Sequence, residues 1–212
     1  MFDPLLAPLS RKILQPLARY LVSRQVSANQ VTLAGFAVGM LALPALALGW
    51  FGLALLCILL NRLADGLDGA VARQTQTTDA GGYLDIVLDF IFYSAVPFGF
   101  LLYDPAQFGI AAGLLMLTFM GTGATFLAFA SIAAKHAIDN PGYSNKALHY
   151  MGGLTEGFET ILAFVAFCLW PQHFTVLALT FAGLCWLTAL TRLWAGYRTL
   201  RELPKRHSEQ SP

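Results

Sequence analysis

Long apolar runs separated by short polar connections recur from end to end of this 212-residue chain, and they leave few folds open. Residues 31–48, 51–73, 81–102, 108–135, 153–170 and 174–197 form six such runs. Each approaches or exceeds the roughly 20 residues needed to cross a bilayer core as a helix. Backbone N–H and C=O groups in lipid must pair within the protein, and the runs lack the alternation of barrel strands, so helices are the remaining solution. The expected fold is all-α: a polytopic membrane protein with six transmembrane helices. Residues 1–30 precede this 31–197 domain and residues 198–212 form a polar tail.

Composition agrees. The chain is 57% hydrophobic and 12% charged, with a mean hydropathy of +0.61, against about 25% charged residues in soluble domains. A net charge of +1 offers no footprint for nucleic acid, so membrane lipids are the expected surroundings. Cys57, Cys168 and Cys185 lie in apolar runs without zinc spacing and read as small core residues.

Cations give an orientation. Arg11, Lys12, Arg19 and Arg24 precede the first run, Lys135 and Lys146 flank the fourth connection, and Arg198, Arg201, Lys205 and Arg206 follow the sixth. The connections at 49–50, 103–107 and 171–173 contain no Lys or Arg. Both termini are therefore expected in the cytoplasm. The N-terminus is broken by Pro4, Pro8 and Pro16 and lacks a secretory signal pattern. Leu5, Leu9, Ile13, Leu17 and Leu21 are spaced for an interfacial helix, with a loosely ordered cationic arm as the alternative. Gly35/Gly39, Gly109/Gly113 and Gly153/Gly157 have the GxxxG spacing of closely packed membrane helices, within one chain or at a dimer seam.

Four carboxylates interrupt this apolar pattern in the segment NRLADGLDGAVARQTQTTDAGGYLDIVLDF. Each costs about 2.5–3.5 kcal/mol at bilayer depth. Asp65 and Asp68 are three apart and share a helix face; Asp85 and Asp89 are four apart on the next helix. Antiparallel neighbours would join the two stripes into one cup at the cytoplasmic end. Hard oxygen donors suit Mg²⁺ or Mn²⁺, and two divalent ions about 3.5–4 Å apart can clamp a phosphoryl group. A purely structural network with Arg62 and Arg73 is the alternative, although two cations do not neutralise four anions.

Asp65-x2-Asp68-Gly69-x2-Ala72-Arg73-x7-Gly81-x3-Asp85-x3-Asp89 resembles the signature of the CDP-alcohol phosphotransferase (CDP-alcohol phosphatidyltransferase) family. The family's spacer before the second glycine is usually eight residues; it is seven here. The strings LNRLADGLDG, DAGGYLDIVLDF, AAKHAIDNPGY and GGLTEG look closest to a bacterial inner-membrane subgroup. The resemblance implies transfer of a substituted phosphate from a CDP-linked donor to an alcohol, with release of CMP. It implies that Asp65, Asp68 and Asp85 bind metal, and that Asp89 completes a second metal site and acts as general base. Gly69, Ala72 and Arg73 would hold the nucleotide, and the protein would be a homodimer. A family turn before the first span corresponds to Ala28-Asn29-Gln30-Val31-Thr32, which lacks the usual proline. Asn29 and Thr32 are nucleotide contacts or helix N-cap residues on this reading.

For the acceptor alcohol, Glu156 and Glu159 could hydrogen-bond a polyol or attract an amine, or they could simply favour a helix N-terminus. Lys135 and Arg192 could take an acceptor phosphate, or serve as snorkelling anchors. His136 and His149, beside the polar loop 139–142, read as surface histidines, as do His173 and His207. CDP-diacylglycerol is the expected donor, because site and acyl tails would meet at the membrane boundary. The alternatives are an aminoalcohol-type transferase with a soluble CDP-alcohol donor, an intramembrane prenyltransferase and a cation transporter. Prenyltransferases usually separate their two aspartate motifs widely. Transporters commonly show repeats that are not evident here.

Overall fold

The computed structural model describes residues 3–136 and 153–201, and among these all regular structure is helical. The loop 139–142, Lys146, His149, Lys205, Arg206 and His207 lie outside the described residues. The helices are α1 (Asp3–Ser23), α2 (Ala28–Met40), α3 (Ala42–Ala47), α4 (Phe51–Gln74), α5 (Asp79–Tyr103), α6 (Pro105–Lys135), α7 (Gly157–Leu169) and α8 (Phe174–Arg201).

Local chemistry sets several of these starts. Ser27 caps α2: its hydroxyl accepts from the Gln30 amide at 3.3 Å, while the Gln30 side chain accepts from the Ser27 amide at 2.9 Å. Neither Asn29 nor Thr32 is the cap, so that alternative is corrected. Thr78 caps α5 through the Gly81 amide, and Asp104 caps α6 ahead of Pro105, whose missing N–H needs no partner there.

The first apolar run is two helices rather than one, with a break at Leu41. Pro44 supplies the reason. It has no N–H to donate to Met40, and its ring clashes with that carbonyl in a continuous helix. The break carries Leu46 into contact with α5, where a side chain on Gly99 would meet Leu46 Cβ at 2.7 Å.

By length and composition, Ala28–Ala47, Asp79–Tyr103, Pro105–Lys135 and Pro171–Arg201 can each cross a membrane. The helix α4 is long enough, but it carries Arg62, Asp65, Asp68 and Arg73. The apolar α7 has 13 residues; it begins at Gly157, behind the Glu156 cap, later than the sequence expectation of 153. Helix α1 runs through Pro16 as a helix and not as a loose arm, and buries Leu14 and Ala18 against Val31, Leu67, Ala70 and Val71.

Chain directions follow from the contacts. Thr32 meets Asp68 and Gly35 meets Asn61, so α2 and α4 are antiparallel. Arg62 reaches both Asp89 and Tyr93 on the antiparallel α5. Helices α6 and α8 run parallel: Thr175 donates to the Gln107 carbonyl, and Phe119 packs on Phe181 further along. Lipid removes most of the hydrophobic gain from helix association, leaving close packing and hydrogen bonds to hold such bundles. The α2–α4 seam uses both. Gly35 lies against Ala64, Gly39 against Asn61, and Asn61 Nδ2 donates to the Gly35 carbonyl at 3.1 Å. An aromatic core fills the opposite end, where Phe100 stacks on Phe174 at 4.2 Å and meets Phe108 and Phe167 edge-on. Gly109 and Gly113 face open space among the described residues.

Candidate active site

The C-terminal half of α4 and the N-terminal half of α5, joined by the four residues 75–78, face each other across a crevice that α2 also lines. One oxygen from each of Asp65, Asp68 and Asp85 lies within 4.8 Å of the other two. Around an octahedral ion with bonds of about 2.0–2.1 Å, donor oxygens stand about 3–4 Å apart. A small inward movement therefore turns the three carboxylates into a hard-donor set for a divalent cation. Asp68 is only 6% exposed. Its charge is partly met by the Thr32 hydroxyl of α2, which donates to it at 2.5 Å.

Asp89 is placed differently. Both of its oxygens face Arg62, with Nη2 at 2.5 Å from Oδ1 and Nη1 at 3.3 Å from Oδ2. Arg62 Nη1 also stands 3.6 Å from Asp65. Thr32, Gly35, Phe36, Asn61, Arg62, Leu88 and the four aspartates line one narrow crevice. Its four carboxylates outnumber its single cation, so the crevice is strongly attractive to positive charge.

Of the residues expected to hold a nucleotide, Thr32 lines this crevice, and Asn29, Gly69, Ala72 and Arg73 lie outside its lining. The Arg73 guanidinium lies over Gly69, where an added Cβ would sit 3.2 Å from Nη1. Asn29 Oδ1 comes as close as 3.0 Å to the corresponding position on Gly81, so the start of α2 lies beside the start of α5. Ala72, half-buried, is one turn beyond Asp68 on α4.

Asp89 also borders a second, larger space. A cavity of about 230 Å³ lies between α5, α6, α7 and α8. Tyr93, Phe119 and Phe126 form aromatic walls, and Thr155, Glu156, Thr160 and Arg192 supply polar groups. Glu156 and Arg192 are buried, at 6% and 8% exposure. Glu156 precedes α7 and accepts from the Gly153 amide at 3.1 Å; Glu159 accepts from the Glu156 amide at 3.0 Å. Arg192 lies over the Phe126 ring at 5.8 Å. The backbone of Gly153 leaves room for it, since a Cβ there would press on Thr188 and stand 3.0 Å from the guanidinium. Of the four residues expected near an acceptor, the cavity lining thus includes Glu156 and Arg192. Glu159 braces the helix start, and Lys135 is exposed in the last turn of α6, outside the lining.

The profile of the CDP-alcohol phosphatidyltransferase family matches residues 25–195, which include every aspartate of the crevice. The chain belongs to the CDP-alcohol phosphatidyltransferase family. It is accordingly an enzyme that transfers substituted phosphate groups. This phosphatidyltransferase is 55% identical over 205 residues to the inner membrane protein YnjF of Escherichia coli, covering 97% of the chain and all of the relative. It is 42% identical over 95 residues to a bifunctional IPC transferase and DIPP synthase of Aquifex aeolicus, covering 42% of the chain and 21% of that protein. Its fold is that of Mycobacterium tuberculosis phosphatidylinositol phosphate synthase, crystallised with CDP-DAG bound and also with manganese and citrate. The CDP-DAG complex superimposes with a TM-score of 0.71 at 22% identity, over 95% of this chain and 100% of that one. The manganese and citrate complex gives 0.71 over 93% of each.

Sequence reasoning about this phosphatidyltransferase missed the reach of Arg62. It was visible as a cation three residues before Asp65, but its contact with Asp89 depends on how α4 and α5 pack. Asn61, 5% exposed and bonded to both Arg62 and α2, was missed too. A polar residue in an apolar run was its signal.

Proposed function

We propose that this enzyme transfers the phosphatidyl group of CDP-diacylglycerol to the hydroxyl of a small alcohol and releases CMP. One observation carries the reading: Asp89 is shared between the four-carboxylate crevice and the cavity lined by Glu156 and Arg192. A donor pyrophosphate in the crevice and an alcohol in the cavity would meet at this side chain.

Asp65, Asp68 and Asp85 would hold a divalent ion, Mg²⁺ or Mn²⁺. Such an ion supplies Lewis-acid polarisation of the pyrophosphate and charge for the departing CMP. Arg73, beside Gly69, pairs with the nucleotide phosphate; Ala72, Asn29 and Thr32 border the same side. Asp89 accepts the proton of the acceptor hydroxyl. The hydroxyl oxygen bonds to the phosphorus that bears diacylglycerol, and that phosphorus parts from the bridging oxygen, which leaves with CMP. One displacement suffices, because each reacting group already has a place. Glu156 and Arg192 orient the acceptor.

We further propose six membrane spans, with α4 and α7 crossing as well. Parallel α6 and α8 support this: a chain that re-enters from the same end must return between them, and α7 is the returning segment. The cation distribution supports cytoplasmic termini and a cytoplasmic site in a bacterial inner membrane, with α1 lying along the interface. A homodimer follows from the family resemblance.

The test uses purified protein in detergent micelles with labelled CDP-diacylglycerol and a panel of alcohols, the lipid product being identified by mass. Mg²⁺- or Mn²⁺-dependent CMP release together with a new phosphatidyl ester supports the proposal. CMP release only from soluble CDP-alcohols would reassign the donor, and no metal-dependent release from any CDP compound would remove the proposal.

A further inference from the structure

The cavity between α5, α6, α7 and α8 carries a balanced pair of charges. Among the described residues its lining has one cation, Arg192, and two acids, Glu156 and Asp89. Asp89 is shared with the crevice, so Glu156 and Arg192 set the charge of the remainder. They are neighbours through Gly153. The Glu156 carboxylate accepts from the Gly153 amide at 3.1 Å, and Arg192 Nη2 stands 3.0 Å from the Cβ position of that glycine. The start of α7 favours the acid, and the Phe126 ring, 5.8 Å away, favours the cation. Neither charge calls for a counter-charge on a ligand.

The threonines of the lining are polarised in one direction. Thr122 spends its proton on the Thr118 and Phe119 carbonyls, both at 3.1 Å. Thr160 donates to the Glu156 carbonyl at 2.8 Å. Thr155 donates to Thr188 at 3.0 Å, whose own proton goes to the Leu184 carbonyl. A hydroxyl has one proton, so what these three can offer a ligand is lone pairs. With the carboxylates they ask the occupant for several donors, while Arg192 asks it for an acceptor.

Hydroxyl groups meet both demands, because each donates and accepts. A phosphate monoester carries a charge of about −1.5 to −2 and presents acceptor oxygens. It would satisfy Arg192 but stand against Glu156 and the threonine lone pairs. An ammonium would answer Glu156 but crowd Arg192. At about 230 Å³ the cavity falls below the roughly 300–1,000 Å³ of drug-sized sites, so its occupant is small.

We infer that the acceptor is an uncharged polyol, with one hydroxyl directed to Asp89 and others spanning Glu156 and Arg192. The inference rests on the transfer reading above and departs from the expectation of an acceptor phosphate at Arg192. The hydroxyl at Asp89 gives up its proton there, its oxygen bonds to phosphorus, and CMP leaves with the bridging oxygen. The lipid formed carries no headgroup charge beyond its phosphodiester.

The test compares neutral polyols with their own phosphate esters: glycerol with glycerol 3-phosphate, and inositol with inositol 1-phosphate. Serine and ethanolamine are the charged alternatives. Full-length protein in micelles is supplied with CDP-diacylglycerol and Mg²⁺, and kcat/KM is measured for each. A neutral polyol is expected to exceed its phosphate ester, serine and ethanolamine by about 100-fold or more, the scale set by buried polar groups left unpaired. Glu156→Gln keeps the shape and removes the acid; it is expected to shrink the preference over the phosphate ester by about tenfold. Thr122→Val is expected to raise the polyol KM by about tenfold, and it serves if Glu156→Gln does not fold. Preference of the parent enzyme for a phosphate ester, serine or ethanolamine would overturn the inference while leaving phosphatidyl transfer intact. Titration calorimetry of the same compounds on the donor-free protein separates the two readings. Tighter binding of the phosphate ester, or no binding of either polyol, overturns the inference. Polyol binding without metal-dependent CMP release from any acceptor removes the transfer reading, while the polyol site stands.

Discussion

The Thr32 hydroxyl and the Asp68 carboxylate meet at 2.5 Å across the α2–α4 seam, thirty-six positions apart in sequence. This bond ties the first helix of the bundle to a buried acid that otherwise stands beside the carboxylates of Asp65 and Asp85. Thr32→Val keeps the shape and removes the donor. It is expected to destabilise the metal-free protein by about 1.5–3 kcal/mol, the usual range for a hydrogen bond to a charged group. Thr32→Ser is expected to retain most of that stability. Denaturation midpoints of the three proteins in one detergent check both.

The same seam depends on a missing side chain. Gly35→Val is expected to wedge α2 away from Ala64 and cost about 1–3 kcal/mol, as overpacking does. Combining Gly35→Ala with Ala64→Gly returns the lost volume to the opposite helix and is expected to recover most of the loss caused by Gly35→Ala alone. A double-mutant cycle on thermal stability measures the coupling.

Asp89→Asn keeps the size of the side chain and a carbonyl oxygen for Arg62. It is expected to reduce transfer by about 10²–10⁴-fold, the contribution of a general base, while CDP-diacylglycerol binding stays within about threefold. Single-turnover CMP release and donor binding, measured on the same preparation, separate the two effects. Full turnover in this variant would remove Asp89 as the base.

Gly153→Ala presses on Arg192 and Thr188 from behind. It is expected to raise the acceptor KM by about tenfold, since small misplacements from a distance act on this scale, without changing Mn²⁺ binding. Lys135→Ala is expected to leave both quantities unchanged, because Lys135 is exposed and outside the cavity lining. Kinetics across acceptor concentrations with each variant checks the contrast.

The site was legible in the chain to the extent that it is local. Asp65 and Asp68 share a helix face by spacing alone, and so do Asp85 and Asp89; a short connection makes the two helices neighbours. The break at Leu41 was encoded by Pro44 but masked by a continuous run of apolar residues. Pro16 misled in the opposite direction: α1 stays helical through it, with the inner-face residues Leu14 and Ala18 packed. Arg62 and Asp89 could not be paired from sequence. A long side chain can reach several partners, and only the rotation of α4 against α5 selects one. Glu156 and Arg192 were noticed separately, yet their common cavity required the parallel placement of α6 and α8.

Asp89, standing between crevice and cavity, has a consequence for selectivity between nucleophiles. A proton acceptor at that boundary treats water and an alcohol alike. Discrimination must come from occupancy: a seated alcohol excludes solvent, whereas a donor that arrives first lies open to hydrolysis. Such an enzyme would make phosphatidic acid as its by-product whenever its alcohol is scarce.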